Sequence, residues 1–156
     1  QPTLILEDPV VTIINNQHYR LAEVQEEKNK GQEILNKACE SKINLMIDTQ
    51  SWLDGGYLKS MPDVAVEKIC TDVLKPIIKA CQNGEATAIK QKLKTIICKW
   101  GGADLEKGDV GKPGLRAHLV KDALLVETGK KYDQKDNHIV YNILKENFKL
   151  KYTYTE

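Results

Sequence analysis

Cys39, Cys70, Cys81 and Cys98 restrict the fold of this chain more than any other residues. They are separated by 31, 11 and 17 positions, so there is no C-x-x-C pair of the kind that builds zinc ribbons or thioredoxin-like redox sites. A chain of 156 residues is one ordinary domain, long enough to bury a core without covalent staples, so the cysteines need another explanation. They are either two disulfides or four reduced thiols packed as small core hydrophobes.

Local pattern bears on that choice. From Val66 the apolar residues Ile69, Cys70, Val73, Leu74, Ile77, Ile78 and Cys81 recur at helical spacing, with both cysteines on the buried side. Pro76 interrupts this helix and deprives the Asp72 carbonyl of its partner. Asn83 and Gly84 then supply a left-handed stop, and Glu85 opens a second periodic run through Ile89, Leu93, Ile96, Ile97 and Trp100. The pattern predicts an antiparallel helical hairpin. Cys70 and Cys98 each stand 14 residues from Gly84 and would face each other across it. Cys70 cannot reach Cys81 along a continuous helix, because eleven residues span roughly 16 Å, beyond a disulfide's reach. Cys81 is left to Cys39. An even count and this matched geometry favour bridges, and bridges imply an oxidising compartment.

The rest of the chain reads as α+β. Residues 1–18, with Pro2 and Pro9 around short β-branched runs, form an extended arm with one strand at Val10–Ile14. Residues 19–156 form a single domain. It opens with a long helix from Tyr19 to Glu40, whose middle, QEEKNKGQE, is a solvated face. INLMI at 43–47 is a candidate strand, and GGADLEKGDVGKPG at 101–114 is a flexible connector. RAHLVKDALLVET reads as a β-hairpin turning at Lys121 and Asp122, Asn137–Phe148 as a helix, and LKYTYTE as a closing strand. The expected architecture is a set of disulfide-pinned helices packed with a small antiparallel sheet.

Chemistry is harder to find. The glycine loop lacks Gly-Lys followed by Ser or Thr and lacks G-x-G-x-x-G, so it is no phosphate cradle. DTQSWLDGG from Asp48 starts like a calcium loop, but its ligand ladder breaks at Trp52 and no closing glutamate follows. Trp52 and Tyr57 either anchor this segment on the core or, with Trp100, offer a ligand or partner surface. Ser51 lacks a nucleophile elbow, and His18, His118 and His138 are scattered over an arm, a strand and a helix start. No catalytic set, metal site or cofactor site is implied. The formal charge of +1 argues against nucleic acid as partner, and no apolar run approaches the roughly 20 residues of a membrane span. The chain begins at Gln1, with no initiator Met and no uncleaved signal peptide, which suits a mature secreted chain and a trimmed one equally.

The helix to Cys39, IDTQSWL, the Cys70 helix, Cys81, a polar turn, KTIICKWGG, HLVKDALLVET and NHIVYNILKENF follow one another in an order that resembles a group of uncharacterised secreted or periplasmic proteins of Gram-negative bacteria. The resemblance covers roughly residues 20–148. It departs at Trp52, where that group has Trp directly after an Asp near position 48, and in the longer glycine loop. It implies a bacterial envelope or extracellular location and a fold; it brings no activity and no functional residues. The leading expectation is therefore a non-enzymatic periplasmic or secreted domain that binds an unknown protein or envelope component. A carrier of a small apolar ligand is the alternative, with a closed cavity lined by Val73, Ile77, Ile89 and Leu93. A small hydrolase is third and needs His118 or His138 to meet a carboxylate or hydroxyl in a cleft.

Overall fold

The computed structural model describes residues 12–14, 17–19, 21–48, 51–52, 66–101, 105, 114–129 and 132–155. Tyr57, most of the 1–18 arm and nearly all of the 101–114 loop lie outside the described residues. In the arm, β1 (Thr12–Ile14) pairs antiparallel with β2 (Gln17–Tyr19), making a two-stranded ribbon where one strand was expected.

The domain is α+β. A helix α1 (Leu21–Cys39) leads into β3 (Asn44–Ile47), and among the described residues α2 (Val66–Asp72), α3 (Lys75–Ala80) and α4 (Ala86–Lys92) follow. Then come β4 (Thr95–Trp100), the hairpin β5 (Leu115–Val120) and β6 (Ala123–Thr128), and α5 (Asn137–Phe148). The four longer strands form one sheet in the order β3-β4-β6-β5. It is mixed where an antiparallel sheet was expected: β3, β4 and β6 run parallel, and only β5 is antiparallel to its neighbour. Parallel neighbours need long crossovers, and the helices between β3 and β4 supply one.

The second arm of the expected helical hairpin is a helix for only seven residues. Leu93 is already extended, and Thr95–Trp100 is a strand in which Ile96, Cys98 and Trp100 are buried and Thr95, Ile97 and Lys99 are half-buried. Strict alternation with a β-branched start is the strand signature, and it overrides the three-four spacing that the same apolar residues also satisfy. The chain reverses at Gly84, whose φ of 96° is open to glycine at no steric cost.

Two disulfides are formed, Cys39–Cys81 and Cys70–Cys98. The first joins α1 to the turn after α3; the second ties α2 to strand β4, so Cys98 reaches its partner from the sheet and not across a helix pair. Closing loops of 42 and 28 residues stabilises the fold by about 4 and about 3.5 kcal/mol on the chain-entropy account.

Pro76 splits the expected helix into α2 and α3. The Asp72 carbonyl that it leaves without a helical partner accepts instead from the Asn137 side chain, 3.0 Å away. A break in one helix thus becomes the seat of the next. Gly31 lies buried in α1, in the stretch expected to be solvated, because a Cβ there would stand 2.6 Å from the Thr71 methyl of α2. Glu26, Glu27, Asn29, Lys30 and Glu33 of that stretch are exposed, with Lys30 pairing Glu26 and Glu27 at the surface, whereas half-buried Gln32 accepts from the Leu45 N–H at 2.7 Å.

One continuous core lies between the helices and a single face of the sheet. It joins Leu35, Leu45, Leu74, Ile77, Ile89, Ile96, Leu124, Val126, Val140 and Leu144. The last residues, 150–155, are irregular and not a strand. They cross α5, where the Tyr141 hydroxyl donates to the Tyr152 carbonyl and the Lys151 N–H donates to Glu85 at 2.8 Å.

Candidate functional site

Side chains alternate across a strand, so the residues next to the core positions point to the opposite face of the sheet. Register places Met46, Ile97, Leu125 and His118 in one row across all four strands, with Asn44, Thr95, Ala123 and Val120 beside it. None of these belongs to the core cluster. Met46 is 48% exposed and Val120 61%, and Ile97 and Leu125 between them are half-buried. Met46, Ile97 and Leu125 lie side by side on three adjacent strands and form a partly exposed apolar patch, with Val120 on the far edge strand, unlike single scattered side chains.

Its cationic border is the next row, Lys99, Glu127 and Arg116. Arg116 holds the Glu127 carboxylate with both prongs of its guanidinium, Nε to Oε1 at 3.1 Å and Nη2 to Oε2 at 3.3 Å. His118 Nε2 stands 3.7 Å from the same Oε1. The Glu127 side chain is only 13% exposed, while those of Arg116 and His118 are 37% and 51%. The anion of this row is more deeply buried than the guanidinium that holds it.

The second feature lies on the helix side. Lys75, Ile78 and Lys79 of α3 face Gln134 and Asn137 across a cleft of about 320 Å³, which Tyr154 bounds. A buried polar cluster forms its base: Asn137 donates to the Asp72 carbonyl and accepts from the Tyr132 hydroxyl at 2.8 Å. Burial, with Asp72 and then Asp136 and Asp133 nearby, pushes the Tyr132 phenol well above its ordinary range. Burial, with Glu85 and Tyr152, pushes that of Tyr141 up to about 12. Both phenols stay neutral donors. Asp136, also buried, accepts from the Gly114 and Asp133 N–H groups at 3.2 Å, fixing the entry to β5.

The residues singled out from sequence fall elsewhere. Trp52 and Trp100 are buried at 1% and 4% exposure with ring centroids 5.3 Å apart, so this pair packs inside the fold and is not a surface. Ser51 is structural in its contacts, accepting from the Trp100 N–H at 3.0 Å and donating to the Asp48 carbonyl at 2.7 Å. Val73, Ile77, Ile89 and Leu93, assigned to a carrier's cavity, are fully buried within the continuous core. His138 meets the Lys135 carbonyl at the start of α5. His118 does approach a carboxylate, but on an open sheet face and not in a cleft. Among the described residues no three His, Cys, Asp or Glu side chains converge as metal ligands, and no helix is long and apolar enough to cross a membrane.

The uncovered row escaped sequence reasoning because Met46, Ile97 and Leu125 come from separate segments. Alternation within KTIICKW and RAHLV was the available signal, since it already places Ile97 and Lys99, and Arg116, His118 and Val120, on one side of their strands. Comparison of the chain with protein-family models, curated proteins and solved structures finds no match in any of the three.

Proposed function

We propose that this is an exported, non-enzymatic binding domain that docks an amphipathic helix of a partner protein on the uncovered face of its sheet. The observation that carries the reading is the apolar row on three parallel strands, exposed at Met46 and half-buried at Ile97 and Leu125, which no element among the described residues covers, while helices cover the other face of the sheet. Sheets of parallel strands are ordinarily covered on both faces. From Met46 to His118 the row crosses three strand spacings, about 14 Å, which suits the roughly 10 Å width of one helix.

Charge selects the helix. Among the described residues Lys99 and Arg116 outnumber Glu127 on the border, so the complementary helix carries acidic residues beside its apolar stripe. The two disulfides support an oxidising address, periplasmic or extracellular.

The test is an NMR titration of the labelled, oxidised protein with a synthetic helix bearing a leucine stripe and glutamate flanks. The expected result is shifts concentrated at Met46, Ile97, Leu125 and Val120, with about tenfold weaker binding, or roughly 1.4 kcal/mol, when the flanks are lysine. Shifts that avoid this row, or equal binding of both helices, would overturn the reading. The address is checked by the intact mass of the natively produced chain with and without reduction; four free thiols there contradict export.

A further inference from the structure

The cleft on the helix side is a separate feature, and nothing in the docking proposal uses it. Its walls come from segments far apart in sequence, with Lys75, Ile78 and Lys79 on one stripe of α3 and Gln134 and Asn137 opposite. Its volume of about 320 Å³ lies at the low end for small-molecule sites.

The charges in it are unequal. Lys75 has a counterion, Asp72, at 3.3 Å, and Asp72 is engaged a second time by the Gln134 amide at 3.3 Å. Among the described residues Lys79, one turn further along α3, has only neutral partners: the Thr155 carbonyl at 3.0 Å and the face of the Tyr154 ring, 5.7 Å from its ammonium. Beside this ammonium lie the Ile78 side chain and that ring, which give an apolar seat. The Asn137 amide, buried at 1% exposure and already bonded to Asp72 and Tyr132, holds the floor rigid. A ligand that fits pairs one negative charge with a small flat or branched apolar body.

We infer that this cleft is a binding site for a small organic carboxylate with an apolar body, its carboxylate on Lys79 and its body against Ile78 and Tyr154. A neutral analogue forfeits the charge-assisted contact, and a cationic one meets two ammonium groups.

Phenylacetate, phenylacetamide and phenethylammonium serve as probes, titrated into the oxidised protein and followed by NMR. Phenylacetate is expected to shift the side-chain amide signals of Gln134 and Asn137 and the resonances of Ile78 and Tyr154. Phenylacetamide should bind at least about tenfold more weakly, and phenethylammonium not measurably. Lys79→Gln should lower phenylacetate affinity about tenfold while Lys79→Arg retains most of it. Because Lys79 also touches the last residues, Lys75→Gln is the second variant; it leaves those contacts in place and should weaken binding two- to threefold. Equal affinity for the acid and its amide, shifts that avoid the cleft, or full affinity in Lys79→Gln would each overturn the assignment. Outcomes on the sheet face do not bear on it, since Met46, Ile97 and Leu125 report that site separately.

Discussion

Leu124 and Leu125 are neighbours on one strand and live in different worlds. Leu124 is completely buried with Ile96, Leu45 and the helices; Leu125 points to the far side of the sheet, between Ile97 and His118. The same holds for Ile96 and Ile97, and for Leu45 and Met46. One backbone therefore presents a face that holds the domain together and a face with apolar side chains left over. Stability explains the first face. It does not explain the second, since exposed Met46 and Val120 add little to folding.

The largest effects should come from what pins the covered face. Replacing both Cys39 and Cys81 with Ala is expected to cost about 4 kcal/mol, and Cys70 with Cys98 about 3.5 kcal/mol, in denaturant melts. Comparable in its larger member, and most telling for the comparison, is the leucine pair. Leu124→Ala should cost about 2–5 kcal/mol by opening a cavity in a packed core, whereas Leu125→Ala should cost under about 1.5 kcal/mol. Equal losses would erase the distinction between the faces.

That distinction was only partly legible in the sequence. The β5–β6 hairpin, α1, α5 and the strand at INLMI follow from local pattern, and Lys121 and Asp122 do form the turn between Val120 and Ala123. Strand β4 was not legible as such, because Ile89, Leu93, Ile96, Ile97 and Trp100 satisfy helical spacing while Ile96, Cys98 and Trp100 satisfy alternation. Tertiary context decided between the two periods. Parallel pairing leaves no local trace either, so the row Met46, Ile97, Leu125 and the cleft between Lys79 and Gln134 appear only when the chain is folded.

Asn137 sharpens the account on the covered side. Asn137→Ala should cost about 1–3 kcal/mol, because the Asp72 carbonyl freed by Pro76 and the buried Tyr132 hydroxyl both lose their partner. Alkaline titration probes the same layer through Tyr141. Its folded pKa, about 12, lies above that of a phenol in the unfolded chain, so its contribution is complete below about pH 10 and is lost as pH rises through 12. Tyr141→Phe should flatten that decline in pH-dependent melts and cost about 1 kcal/mol at neutral pH through the bond to Tyr152. The smallest effects belong to the far face, where Met46→Glu and Val120→Glu should move stability by no more than about 0.5 kcal/mol while weakening binding of the acidic helix.

The central claim is that the leftover apolar face is where a partner sits, and it is tested most directly by photo-crosslinking in the cells that produce the chain. A photoreactive residue at Met46 or Val120 is compared with one at Ile34, an equally exposed apolar position on α1, at 58%. A discrete crosslinked protein from Met46 and Val120, absent from Ile34 and abolished by Leu125→Glu, is the predicted result. The same products from all three positions, or none from the sheet, would contradict it.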